Sequence, residues 1–93
     1  MHIANLIRQR LSASLRPDEL ELVDESARHA GHAGARPQGE THFRVRIVAE
    51  SFADRSRLER QRMVFAALGD LMHSDIHALS IVALTPAEAE QRH

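Results

Sequence analysis

Apolar residues recur along this chain with two periods, which predict both helices and strands. From residue 3 to 15 they are spaced by three and four positions, as in an amphipathic helix, and the sequence around Pro17 ends that helix. Residues 20–24 and 42–49 alternate apolar and polar side chains, which is typical of strands with one buried face. The segment 25–39 contains three of the four glycines, so we expect a flexible loop there.

The second half of the chain predicts a helix, a strand and a short final helix. Ser56 and Glu59 have the spacing of a capping box, and a helical stripe of apolar residues continues from about Arg57 to Met72. Residues 76–84 are mostly apolar and short, which predicts a third strand. The segment 85–88 has the order of a capping threonine, a first-turn proline and an N3 glutamate, so a final helix begins there.

This order, α-β-β-α-β-α, predicts an α+β fold with a three-stranded mixed sheet in a single domain over residues 1–93, with its core in about 3–88. A helical crossover normally joins parallel strands, so the second and third strands should begin at the same end of the sheet, where the first strand ends. His77, at the start of the third strand, should then approach His29 or His32 of the loop. The sequence therefore predicts a convergence of histidines that are distant along the chain.

Composition narrows the chemistry that these histidines can perform. The chain has 93 residues, seven histidines and no cysteine, so imidazole, and not thiolate, is the metal ligand that it offers. All twelve basic residues are arginine, but the formal net charge is only −1. No segment has the length and apolar character of a membrane span, and no signal peptide is recognisable. We therefore expect a cytoplasmic protein that does not associate with a membrane.

Several short motifs occur in the order expected of BolA-like proteins, and together they resemble that family over about residues 3–88. They are Asp24-Glu25-Ser26, His29, the segment Gly39–Val45, Arg62-Met63-Val64-Phe65 with Leu68, and Ile76-His77-Ala78-Leu79. The chain departs from many members at Gln61, where they have histidine. The resemblance implies a fold similar to the class II KH domain. As a separate expectation, the protein without a bound cluster is a monomer or a weak dimer.

The resemblance also implies a function and a set of ligands. BolA-like proteins pair with monothiol glutaredoxins to bind or transfer a shared [2Fe-2S] cluster, in iron homeostasis or cluster maturation. Glutaredoxin and glutathione supply thiolates, and the BolA-like subunit supplies imidazole, which raises the cluster potential. The implied ligands here are His77 and His29, with His32 as a substitute for His29. Because the chain has no thiolate of its own, we expect it to hold the cluster only in the complex.

Other interpretations of the histidines remain open. His29, His32 and His77 would also provide three nitrogen ligands for zinc. Alternatively, a solvated loop and a hydrogen-bonded strand end would explain the same residues without any metal. His42, inside the second strand, is interpreted as structural. No Ser-His-Asp arrangement or phosphate-binding glycine loop occurs in a convincing context, so we do not interpret the protein as an enzyme.

Nucleic-acid binding is the main alternative function. The resemblance extends to DNA-binding transcriptional regulators of the stress and morphology response. Five arginines are candidates for contacts with phosphate: Arg44, Arg46, Arg57, Arg60 and Arg62. The pI of about 6.6 and the presence of only three aromatic residues, all phenylalanine, argue against it. The same arginines suit a solvated surface, or a surface that docks an acidic partner without a metal.

Overall fold

The computed structural model describes residues 3–25 and 42–91, in which four helices and three strands are present. Together with one 3₁₀ turn, they are in chain order α1 (Ile3–Leu15), β1 (Glu19–Asp24), β2 (His42–Val48), the 3₁₀ turn (Glu50–Phe52), α2 (Arg57–Leu68), α3 (Leu71–Ser74), β3 (Ala78–Leu84) and α4 (Pro86–Gln91). The α+β prediction is therefore confirmed, with one additional short helix. Apart from Glu25, the loop predicted at 25–39 lies outside the described residues.

The three strands form one mixed sheet in the order β1-β2-β3. Strand β1 runs antiparallel to β2, with Asp24 opposite Phe43, and β2 runs parallel to β3, with His42 opposite Ala78. The parallel relation predicted from the helical crossover is confirmed. Strands β2 and β3 therefore begin at the same end of the sheet, and β1 ends there.

Helices α1 and α2 cover one face of the sheet. Phe43, Val45 and Ile47 point into this layer and are at most 1% exposed, while the side chains between them face the opposite side. Helix α1 buries residues four positions apart, Ile7, Leu11 and Leu15, against the same core. The other sheet face carries the polar side chains of His42, Arg44 and Arg46, and at its far end Val48 and Leu84 are buried in a second, smaller cluster.

The capping signals at the starts of α2 and α4 are confirmed. The backbone N–H of Glu59 donates to Ser56 Oγ at 3.1 Å, and the Ser56 N–H donates to Glu59 Oε1 at 2.8 Å. Thr85 and Glu88 exchange the same two bonds at 2.9 and 3.2 Å. Helix α4 then packs Ala89 against the ends of β2 and β3.

The single helix predicted from about Arg57 to Met72 is wrong, because Gly69 interrupts it. Gly69 has φ +58° and ψ −129°, a conformation that an L side chain rarely adopts. The Arg10 guanidinium of α1 bonds the Leu68 carbonyl at 2.7 Å and Asp70 Oδ1 at 2.8 Å on either side of this break. The helical stripe did not reveal the break, because apolar residues continue beyond it.

The third strand begins at Ala78, two residues later than predicted. Ile76 is 6% exposed, and its N–H donates to the Leu71 carbonyl at 3.0 Å, so this apolar residue belongs to the end of α3. His77 therefore lies in the short link between α3 and β3. This link places His77 at the end of the sheet where β2 and β3 begin.

Candidate functional site

Two histidines lie side by side at the end of the sheet where β2 and β3 begin. His42 is the first residue of β2, and His77 immediately precedes Ala78, the residue opposite His42 in the parallel register. The centroids of the two imidazole rings are 6.2 Å apart, and the ring planes differ by 26°. Both residues are exposed to solvent. The arrangement presents two imidazoles to the same region of solvent.

The ends of the segment that carries the other candidate histidines lie at this same end of the sheet. The described chain stops at Glu25, just after β1, and resumes at His42. His29 and His32 lie outside the described residues, so their approach to His77 stays a prediction. The register shows that both ends of their segment, after β1 and before β2, lie at the end of the sheet that carries His77.

His42 is a candidate site residue that the sequence pattern alone does not select. Its place in an alternating strand led to a structural interpretation, but the parallel register brings it beside His77. The signal was available in principle, because His42 opens one parallel strand and His77 precedes the other. Only the register, which the alternation alone does not specify, shows that the two positions coincide.

The pair has limited capacity to hold a metal by itself. Among residues 3–25 and 42–91, no group of three or more histidine, aspartate, glutamate or cysteine side chains is placed to bind a metal ion. Two exposed imidazoles offer at most two nitrogen ligands, so a metal centre at this position would need its other ligands from elsewhere. The zinc interpretation depends on His29 and His32, so it also stays a prediction.

Two of the five candidate arginines for phosphate contacts form ion pairs across the polar sheet face. Arg44 Nη2 lies 2.8 Å from Glu25 Oε2, and Arg46 Nη1 lies 3.0 and 3.4 Å from the carboxylates of Glu19 and Glu21. These contacts join β2 to β1 and the residue that follows it. They balance the positive charge that a phosphate would otherwise meet.

Arg60 is held inside the protein. Its side chain is 13% exposed, and its guanidinium forms two bonds to the Glu88 carboxylate, at 2.6 and 3.2 Å. It also donates to the carbonyls of Ala83 and Arg55 and lies 6.0 Å from the Phe52 ring centroid. The bonds from Arg60 and from the Thr85 backbone lower the pKa of Glu88 to about 2.

Arg57 and Arg62 are exposed on α2, and within the described part of the chain neither forms an ion pair within 4.0 Å. They are therefore the two of the five predicted arginines that remain most available to a ligand.

None of the helices in residues 3–25 and 42–91 is long and apolar enough to cross a bilayer.

Comparison with known proteins identifies relatives of the whole chain. A family model described as BolA-like protein matches residues 11–88. SufE-like protein 1 of Arabidopsis thaliana is 49% identical over 86 residues, which cover 88% of this chain and 23% of that protein. Protein BOLA1, chloroplastic, of the same plant is 41% identical over 91 residues, which cover 96% of this chain and 57% of that protein.

Two further comparisons extend along nearly the whole chain. The solved structure of BolA1 from Arabidopsis thaliana superposes with a TM-score of 0.84 at 41% identity, covering 95% of this chain and 96% of that one. The DNA-binding transcriptional regulator BolA of Escherichia coli is 37% identical over 90 residues, which cover 97% of this chain and 82% of that protein.

This chain corresponds to only part of each of the first two relatives. The chain spans about a quarter of SufE-like protein 1 and little more than half of BOLA1, and both of these relatives carry names that place them in chloroplasts or mitochondria. A cytoplasmic location therefore stays a prediction for this protein. The family model and the structural superposition agree over most of the sequence, and the chain belongs to the BolA-like family.

Proposed function

We propose that this protein is an adaptor that binds or transfers a [2Fe-2S] cluster together with a monothiol glutaredoxin, in iron homeostasis or cluster maturation. The observation that carries the proposal is the pair of exposed imidazoles, His42 and His77, at the sheet end where the segment with His29 and His32 begins and ends. Membership of the BolA-like family supports it.

His77 is the principal ligand in this proposal, and His29 is the second, with His32 as its substitute. His42 lies next to His77, with ring centroids 6.2 Å apart, and is a further candidate for the second position. The remaining ligands are thiolates, which the partner must supply because this chain has no cysteine. When bound, the cluster supplies redox and transfer chemistry, and neutral imidazole ligands raise its potential relative to thiolates.

The test is a spectroscopic titration with a monothiol glutaredoxin that carries a glutathione-ligated [2Fe-2S] cluster. Visible absorption and circular dichroism are recorded for the wild type and for His77→Ala, His29→Ala, His32→Ala and His42→Ala. We expect a new spectrum with the wild type and its loss with His77→Ala. Whichever of the other three variants also loses the spectrum identifies the second ligand. His73→Ala, an exposed histidine on α3, is the matched control and should behave as the wild type.

Two outcomes contradict the proposal. An unchanged cluster spectrum with the wild-type protein, while the glutaredoxin cluster stays intact, would remove cluster sharing. A complex whose spectrum is identical for the wild type and His77→Ala would leave a docking module that binds its partner without ligating the metal.

DNA binding is the second candidate function, and the name of the Escherichia coli relative favours it. Arg57 and Arg62 are the arginines best placed for phosphate contacts, since Arg44, Arg46 and Arg60 are engaged by carboxylates. Binding driven by phosphate contacts weakens steeply between about 50 and 200 mM salt. A duplex-binding assay across this range, with Arg57→Ala and Arg62→Ala, therefore distinguishes the two functions.

A further inference from the structure

A groove of about 550 Å³ runs beside β3, on the opposite side of that strand from β2. Its walls come from the start of α2, the second half of β3 and from α4, and its lining includes Arg55, Arg57, Gln61, Ile81, Val82 and Glu88. Strand β3 is an edge of the described sheet, because it pairs only with β2. The groove therefore lies against a strand whose outer backbone groups have no strand partner among residues 3–25 and 42–91.

The direction of the backbone groups follows from two hydrogen bonds. The Leu84 carbonyl accepts from the Ala49 N–H at 2.9 Å, on the side of β2, and the Ala83 carbonyl accepts from Arg60 Nη1 at 3.1 Å, on the outer side. In a parallel pair the N–H and C=O of one residue point to the same neighbour, and successive residues alternate. The N–H and C=O of Ile81 therefore point outward, into the groove.

Arg60 limits how far this outer edge can pair. Its guanidinium occupies the Ala83 carbonyl and at the same time binds the Glu88 carboxylate. An added strand can therefore bond Ile81 but must end or turn where it reaches Ala83. At that point it meets Arg55, which precedes α2, and Arg57, the first residue of that helix, both of which line the groove.

The charge of the groove favours an acidic occupant. Three arginines and one glutamate line it, so its formal charge is 3 − 1 = +2. Glu88 is neutralised by Arg60, and Arg55 makes only a distant pair with Glu59, at 3.9 Å. Arg57 is exposed and forms no ion pair within 4.0 Å among the described residues. Two cations are thus available beside an unpaired strand edge.

We propose that this groove binds an extended acidic peptide segment of a partner protein, which adds to the free edge of β3 as a further strand. Backbone bonds to Ile81 would give affinity, and carboxylates that reach Arg55 and Arg57 would give specificity. The described lining includes no aromatic side chain on which nucleic-acid bases would stack, which favours a peptide over a single-stranded nucleic acid. This proposal does not depend on cluster binding.

The test begins with phage-displayed random decapeptides selected on the full chain. We expect enriched sequences that alternate β-branched residues with aspartate or glutamate and lack proline at the positions that pair. A synthetic selected peptide should shift the amide NMR signals of Ile81 and Ala83. By fluorescence anisotropy, Arg57→Glu should weaken its binding at least tenfold. Arg62→Glu, an exposed site on the same helix outside the groove lining, should change it less than twofold.

A backbone variant tests strand addition separately from charge. N-methylation of alternate amides in the selected peptide should abolish binding in one register and leave it unchanged in the other. The proposal is overturned if nothing is enriched over beads that carry Arg57→Glu, if the two charge reversals weaken binding equally, or if N-methylation has no effect in either register. Tighter binding of a ten-nucleotide oligothymidylate than of any selected peptide would instead identify a nucleic-acid groove.

Discussion

Arg60 links three parts of the fold through one guanidinium. It bonds Glu88 on α4, the Ala83 carbonyl on β3 and the Arg55 carbonyl before α2. A planar guanidinium with five donors can satisfy several acceptors in this way, whereas an ammonium cannot match the geometry of the carboxylate. Periodicity and spacing do not distinguish Arg60 from its neighbours, because two of its partners are distant along the chain. Ala83 is 23 residues away and Glu88 is 28 residues away.

The Arg60–Glu88 pair predicts how stability responds to acid. The Arg60 hydrogen bonds, followed by the Thr85 backbone bond, lower the pKa of Glu88 from 4.5 to about 2. A lowered pKa means that the folded state binds the proton less tightly than the unfolded state. The stabilisation is therefore complete above about pH 4.5 and is lost as pH falls towards 2.

We expect Glu88→Gln to lower the urea midpoint at pH 7 and to differ progressively less from the wild type as pH falls from 4.5 to 2. Glutamine keeps the shape and an acceptor but removes the charge. The measurement is urea unfolding at a series of pH values. Glu90→Gln, an exposed position on the same helix, is the control. A constant difference between Glu88→Gln and the wild type across this range would contradict the assignment.

At the scale of elements, the break between α2 and α3 determines where the chain turns back to the sheet. The Gly69 N–H donates to the Phe65 carbonyl at 2.9 Å and closes α2, and the Asp70 carbonyl then accepts from His73 in the next turn. Helix α3 is only four residues long, Leu71–Ser74, and it buries Leu71 in the core. The reversal places Ile76 in the core and His77 at the start of β3.

Gly69→Ala should destabilise the protein by backbone strain. A Cβ at this position would meet only Arg10 Nη1, at 3.5 Å, which is ordinary contact, but φ is +58°. Strain of this kind costs about 1–3 kcal/mol of unfolding free energy. Chemical denaturation measures the change, with Ala66→Ser on the exposed side of α2 as the control. A free energy of unfolding unchanged from the wild type would show that the chain accepts another conformation at residue 69.

At the scale of the whole molecule, the two candidate binding regions lie at different places along the edge of one sheet. The central strand β2 pairs on both sides, and its inward side chains are buried, whereas β3 is an edge strand of the described sheet. The histidine pair lies at the beginning of β3 and the basic groove lies beside its second half. A single edge strand thus connects the two candidate binding regions.

This arrangement predicts an alternating pattern of amide hydrogen exchange along β3. Ser80, Val82 and Leu84 direct their N–H groups towards β2 and should exchange slowly, while the outward N–H groups of Leu79 and Ile81 should exchange much faster. Exchange followed by NMR on the free protein measures the pattern residue by residue. Equal protection of both sets at low protein concentration would mean that the outer edge is already covered.

The amino-acid sequence by itself determined the order of most elements and the parallel relation of β2 and β3. Short-range patterns are sufficient for these features. Alternation of apolar and polar residues indicates a strand with one buried face, and Ser56 and Thr85 are helix-capping residues. A helical crossover returns the next strand in the same direction. The ordered motifs likewise indicate the BolA-like family without any knowledge of the geometry. Each of these signals is either a pattern of a few neighbouring residues or the order in which segments follow one another along the chain.

Only the tertiary structure decided the features that depend on contacts between distant segments. His42 lies beside His77 because of the strand register, and Arg60 is engaged by Glu88 because α4 folds back to it. Gly69 breaks the helix where Arg10 of α1 reaches its last carbonyl, although the apolar pattern continues. In each case the partner is remote along the chain, so no local period of the sequence carries the information.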